Sequence, residues 1–96
     1  MASAALDAFI DEGIQLSLKR GYNPTVFIGM RTRHGTVDAI SRLVISGDLQ
    51  SGFKRLHRMG LLDWTIEAAV LKFPTEFSAD ARKCAEFRIC LAREED

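Results

Sequence analysis

The sequence predicts an all-α fold, a single compact domain of about six short helices in an orthogonal array. Three observations lead there. Apolar residues recur at the 3, 4 spacing of helix faces, capping residues and glycine stops punctuate the chain at short intervals, and no run alternates with the period of two that a half-buried strand requires. Ninety-six residues, 47% hydrophobic and 27% charged, suit one ordinary globular core. The domain is expected to span residues 1–96, with the last few frayed in solvent.

Taken in order, Ser3 is the expected cap of a first helix in which Leu6, Phe9, Ile10, Gly13, Ile14 and Ser17 form one face. Its acids lie early and Lys19 and Arg20 late, as the helix dipole favours, and Gly21 is the expected stop. In NPTVFIGMRTRHG, Asn23 is the expected N-cap, with Pro24 at the first helical position and Gly35 at the end. Thr36 then caps a third helix, with Val37, Ile40 and Val44 inward, Leu43 beside them, and Asp38 four residues before Arg42 in the favourable ion-pair order. Gly47 and Asp48 are expected to break it. A fourth helix starts near Ser51 and ends at Gly60. Asp63 is the expected cap of a fifth, WTIEAAVLKF, which is apolar nearly all round and so belongs at the domain centre; Pro74 ends it. Ser78 caps the last helix, in which Cys84, Phe87 and Leu91 share the expected inner face.

Several function classes drop out. No apolar run approaches the roughly 20 residues that cross a bilayer, and the N-terminus lacks the basic start and apolar stretch of a signal peptide, so a cytoplasmic protein with no membrane partner is expected. Cys84 and Cys90 lie six apart in one helix, about 9 Å along its axis, too far for a disulfide; reduced, structural thiols are expected. The four soft ligands, His34, His57, Cys84 and Cys90, show no metal-binding spacing. Phosphate-binding loops, dinucleotide fingerprints and nucleophile elbows are missing too, so the expectation is a non-enzymatic protein with no metal and no cofactor. Glu67 stands alone in an apolar helix and reads as a helix-start charge or an arginine's partner, with a catalytic carboxylate as the rarer use. Both histidines read as edge-of-core residues, and Tyr22 and Trp64 as staples or core anchors, with base stacking the other use of two aromatics so placed.

Charge is the most informative feature. The chain is neutral overall, yet residues 19–58 hold eight basic residues against Asp38 and Asp48, so a segment of +6 lies between flanks of −3 each. Partners respond to such local fields. On the fourth helix, Lys54, Arg55 and Arg58 fill one arc opposite Phe53 and Leu56. With Arg31 and Arg33 from the second helix and Arg42 from the third, they form the expected binding patch: Arg31, Arg33, Arg42, Lys54, Arg55 and Arg58. The competing reading is a solvated face paired with the acidic flanks.

Two resemblances add to this. Residues 37–63, with Leu56, Gly60 and Leu61 in the Leu-x3-Gly-Leu pattern, resemble the helix-turn-helix half of winged-helix DNA-binding domains, although a capped apolar helix is expected where the wing hairpin would lie. More widely, residues 21–74 are similar to an uncharacterised bacterial helical segment seen as stand-alone small proteins and as tails of restriction-type nuclease proteins. The matching positions include Gly21, Tyr22, Pro24, Thr25 and Phe27, then Gly52, Phe53 and Leu56, then Leu62, Asp63, Glu67, Val70 and Leu71. That resemblance implies a fold and a mobile-element or defence setting, and carries over no catalytic residue.

Two functional expectations follow. The first is a small binding module whose basic surface engages nucleic acid or a nucleoprotein complex. The alternative is a phage-borne inhibitor or adaptor that docks on an acidic surface of a host restriction or CRISPR-type protein complex without binding free DNA. Either is compatible with a symmetric homodimer, for which the fifth helix offers apolar surface.

Overall fold

Among the residues described by the computed structural model, 2–46 and 51–95, there are six α-helices and no strand. They are α1 (Ala4–Lys19), α2 (Thr25–His34), α3 (Thr36–Ile45), α4 (Ser51–Arg58), α5 (Ile66–Lys72) and α6 (Ala79–Glu95), with single 3-10 turns at Leu62–Trp64 and Pro74–Glu76. The expected break at Gly47 and Asp48 lies outside the described residues. A radius of gyration of 12.1 Å is what one packed domain of this length adopts, roughly 12.5 Å. Among the described residues no helix is long and apolar enough to cross a membrane.

Capping chemistry sets most boundaries. Ser3 Oγ accepts from the Leu6 N–H at 3.1 Å, and the same hydroxyl donates to Glu76 Oε2 at 2.7 Å, tying the start of α1 to the second 3-10 turn. At the other end Gly21, at φ 84°, closes α1, and the Tyr22 N–H returns to the Ser17 carbonyl. The start of α2 corrects the expectation for Asn23. Its carbonyl accepts from the Thr25 N–H at 2.8 Å in a tight turn, which leaves its side chain one residue too far out, and Pro24 takes the cap position with no side-chain bond.

Gly35 alone joins α2 to α3, at φ 87°, a left-handed conformation that disfavours any side chain. It occupies the cap position expected of Thr36, which instead is the first helical residue. The Thr36 hydroxyl donates to Asp7 Oδ1 at 2.7 Å and accepts from Arg31 Nε at 2.8 Å, so it links α1, α2 and α3.

The cap of α5 is also displaced. Leu62–Trp64 closes a 3-10 turn, helix formation restarts at Ile66, and Thr65 Oγ1 accepts from the Ala68 N–H at 3.1 Å while Asp63 stays exposed. Pro74 follows the end of α5 as expected, and Ser78 Oγ accepts from the Ala81 N–H at 3.2 Å at the start of α6.

The core gathers Leu6, Phe9 and Ile10 of α1, Phe27 of α2, Ala39, Ile40, Leu43 and Val44 of α3, and Ala69 and Val70 of α5. Phe9 stacks on Trp64 at 4.9 Å between centroids and meets Phe73 edge-on at 5.9 Å. Helix α6 packs on α5 and α3 through Ala81, Ala85, Ile89 and Ala92 rather than the face expected. Phe87 is 63% exposed and Leu91 45%. Small side chains let the helix axes approach, and the bulky residues are left on the outer side.

Candidate functional site

The positive ridge is built on α4. Lys54, Arg55 and Arg58 are exposed, while Phe53 and Leu56 turn inward to line a cavity with Trp64. Arg55 lies over the Tyr22 ring, 5.0 Å from its centroid, a cation–π contact that orients the guanidinium without neutralising it. Gly52 permits this approach, because a Cβ there would stand 2.8 Å from the Tyr22 hydroxyl. Among the described residues, Lys54, Arg55 and Arg58 take part in no ion pair.

The other expected members separate. Arg31 points inward, to Asp11 Oδ1 at 2.6 Å and Asp7 Oδ1 at 3.1 Å, with its side chain only 20% exposed. It is therefore a clasp between α2 and α1 and is withdrawn from the patch. The two carboxylates hold its guanidinium charge more firmly than usual, despite partial burial. The Asp7 carboxyl is in turn held below its ordinary range by the Thr36 hydroxyl and by Arg31, against a partial desolvation that pushes the other way. Arg33 is exposed near the Gly35 corner, about 9 Å along the α2 axis from Phe27 at the α4 end. Arg42 is exposed on α3, beside Leu43, which borders the same cavity as Phe53 and Leu56.

One residue joins the ridge that sequence reasoning assigned only to a helix end. Arg20 Nη1 donates to the Met59 carbonyl at 2.5 Å, across 39 residues, and so fixes the basic end of α1 beside the end of α4. Lys19 is exposed next to it. No local spacing announces such a contact; α1 and α4 both pack against the Leu62–Trp64 turn, which brings those two helix ends together.

A second polar constellation lies inside. Arg88 Nη1 donates to Glu67 Oε2 at 2.7 Å and to the Leu43 carbonyl at 3.3 Å, and Nη2 donates to the Ser46 carbonyl at 2.5 Å. Glu67 thus has the arginine partner that its isolation in an apolar helix implied. Burial pushes its carboxyl above the ordinary range, with Arg88 opposing. The signal for Arg88 is that it interrupts a stripe of small residues, Ala81, Ala85 and Ala92, on the packed face of α6.

His57 is half-buried and His34 exposed, so only the former lies at the edge of the core. Cys84 and Cys90 are free thiols. Among the described residues no group of three or more His, Cys, Asp and Glu side chains is placed to hold a metal. In comparisons with known proteins, no family model matches the chain, and no curated protein or solved structure matches it.

Proposed function

We propose that this chain is a small, non-enzymatic, cytoplasmic binding module that docks the α4 ridge on a polyanion, nucleic acid or a nucleoprotein complex, in a mobile-element or defence setting. The supporting observation is the group Lys54, Arg55 and Arg58, exposed and outside any ion pair among the described residues, with Arg20 drawn alongside through Met59. Four such cations contacting phosphates displace condensed counterions, which gives a slope of log affinity against log salt of about −3 to −4 on duplex DNA. The basic residues lie in the middle and last turn of α4, not at its N-terminal tip, which favours docking along the backbone over reading of base edges.

Fluorescence anisotropy with a labelled duplex and a labelled single strand, from low to moderate salt, tests this reading. Saturable binding with that salt slope, weakened by Arg55→Glu with Arg58→Glu, is the expected result. Binding to neither strand form at low salt rejects the nucleic-acid version.

The outer face of α6 favours the second reading, docking on a protein complex. Phe87 and Leu91 stand exposed one turn apart beside half-buried Cys84, an apolar stripe that a protein partner buries and a phosphate backbone does not. Co-purification that survives Arg55→Glu with Arg58→Glu and is lost in Phe87→Glu marks that reading. A symmetric pairing of two copies is its homodimer version and is read by sedimentation.

A further inference from the structure

A cavity of about 300 Å³ opens between α1, the start of α2, α4 and α5. Its walls are mainly apolar and aromatic, with Ile14 from α1, Phe27 from α2, Phe53 and Leu56 from α4, and Trp64 before α5. None of Lys54, Arg55 and Arg58 lines it, so it is separate from the ridge.

Glu67 also contributes to the lining. It is 1% exposed, and while Oε2 holds Arg88, its Oε1 has no hydrogen-bond partner among the described residues. A buried carboxylate oxygen without a donor is costly, and native folds leave few of them. Here the unpartnered acceptor belongs to a residue of a cavity wall that is mostly apolar, with Ser17, Tyr22, Asn23, Thr25 and Thr65 as its other polar members, the composition of a small-molecule site: mainly hydrophobic surface with a few placed polar groups.

The same features define the guest. Glu67 and Arg88 together are neutral, so a cationic guest would add an uncompensated buried charge, whereas a neutral donor satisfies Oε1 without one. A volume at the bottom of the range for ligand sites, roughly 300–1,000 Å³, admits a molecule of about one ring. We infer that this cavity binds a compact, uncharged, mainly apolar molecule that presents one hydroxyl or N–H donor to Glu67 Oε1.

The test uses the full chain, with cyclohexanol as the probe and methylcyclohexane as its near-isostere lacking the donor, followed by NMR through the Trp64 indole N–H and the methyl groups of Ile14 and Leu56. Cyclohexanol is expected to shift these resonances saturably and to bind about tenfold tighter than methylcyclohexane, the advantage of one hydrogen bond to a charged acceptor. Leu56→Phe, which fills the cavity from the α4 side, is expected to abolish the shifts in a folded chain. Absence of saturable shifts up to the solubility of cyclohexanol overturns the inference, as does equal affinity for the two probes, or binding that survives in a folded Leu56→Phe chain. If that variant does not fold, the comparison of the two probes decides alone.

Discussion

Arg88 of α6 donates to Glu67 of α5 at 2.7 Å at a point where both side chains are almost wholly buried. The guanidinium also takes the Leu43 and Ser46 carbonyls at the end of α3, where a helix leaves acceptors without intrahelical donors. One side chain therefore neutralises a buried acid, caps one helix and ties three helices together. Planarity and several donors suit arginine to that task, and lysine lacks the fork that reaches both directions at once.

Removing one partner is expected to be far worse than removing both. Arg88→Met leaves the Glu67 charge without its arginine and takes one donor from each of two helix-end carbonyls, and should lower unfolding free energy by about 3–5 kcal/mol in urea denaturation. Arg88→Met combined with Glu67→Leu should recover much of the loss, because the uncompensated charge is gone. A cost below about 1 kcal/mol for Arg88→Met alone would show that the pair is open to water.

The acids at the two polar centres respond to pH with opposite signs. Asp7 has its folded pKa lowered from 3.8, first by the Thr36 hydroxyl and then by Arg31. Its contribution is therefore complete above 3.8 and is lost as pH falls through the lowered folded value. Glu67 has its pKa raised from 4.5 by burial. Its protonated form is the better tolerated one, so its contribution is largest below 4.5 and declines as pH rises through the raised value. Carboxyl-detected NMR titration should find Asp7 below and Glu67 above these reference values. Thr36→Val should move Asp7 upward while leaving Glu67 in place.

The two threonine and aspartate candidates at the start of α5 separate cleanly. Thr65 is buried and accepts from the Ala68 N–H, so Thr65→Ala should cost about 1 kcal/mol in thermal or urea unfolding, the usual loss of an N-cap. Asp63 is exposed and caps nothing, and Asp63→Ala should fall within about 0.5 kcal/mol of the parent chain.

Helix number and most helix ends were legible because they are local: Ser3 and Ser78 accept from N–H groups three residues on, and Gly21 and Gly35 supply positive φ. What escaped was decided by tertiary geometry. Asn23, Thr36 and Asp63 are all good caps by type, but each was displaced by one or two residues when a tight turn, a glycine or a 3-10 turn consumed the chain first. On α6, hydrophobicity favoured Phe87 and Leu91 for the core, whereas close approach to α5 and α3 selected the alanine face. Composition marked the +6 segment, yet which cations remain available depended on whether an acid of α1 lay within reach, as it did for Arg31.

That difference between Arg31 and Arg58 yields the sharpest test of the ridge. Arg31 binds Asp7, Asp11 and Thr36, so Arg31→Ala removes a partly screened clasp and should lower stability by about 1–2 kcal/mol. Its effect on polyanion affinity, measured where the variant is fully folded, should be within about twofold. Arg58 is exposed and, among the described residues, reaches only the Lys54 carbonyl, at 3.4 Å. Arg58→Ala should leave stability within about 0.5 kcal/mol, weaken polyanion binding, and reduce the slope of log affinity against log salt by about 1. The reverse pattern, binding lost in Arg31→Ala and unchanged in Arg58→Ala, would move the docking surface from α4 to the α1–α2 face.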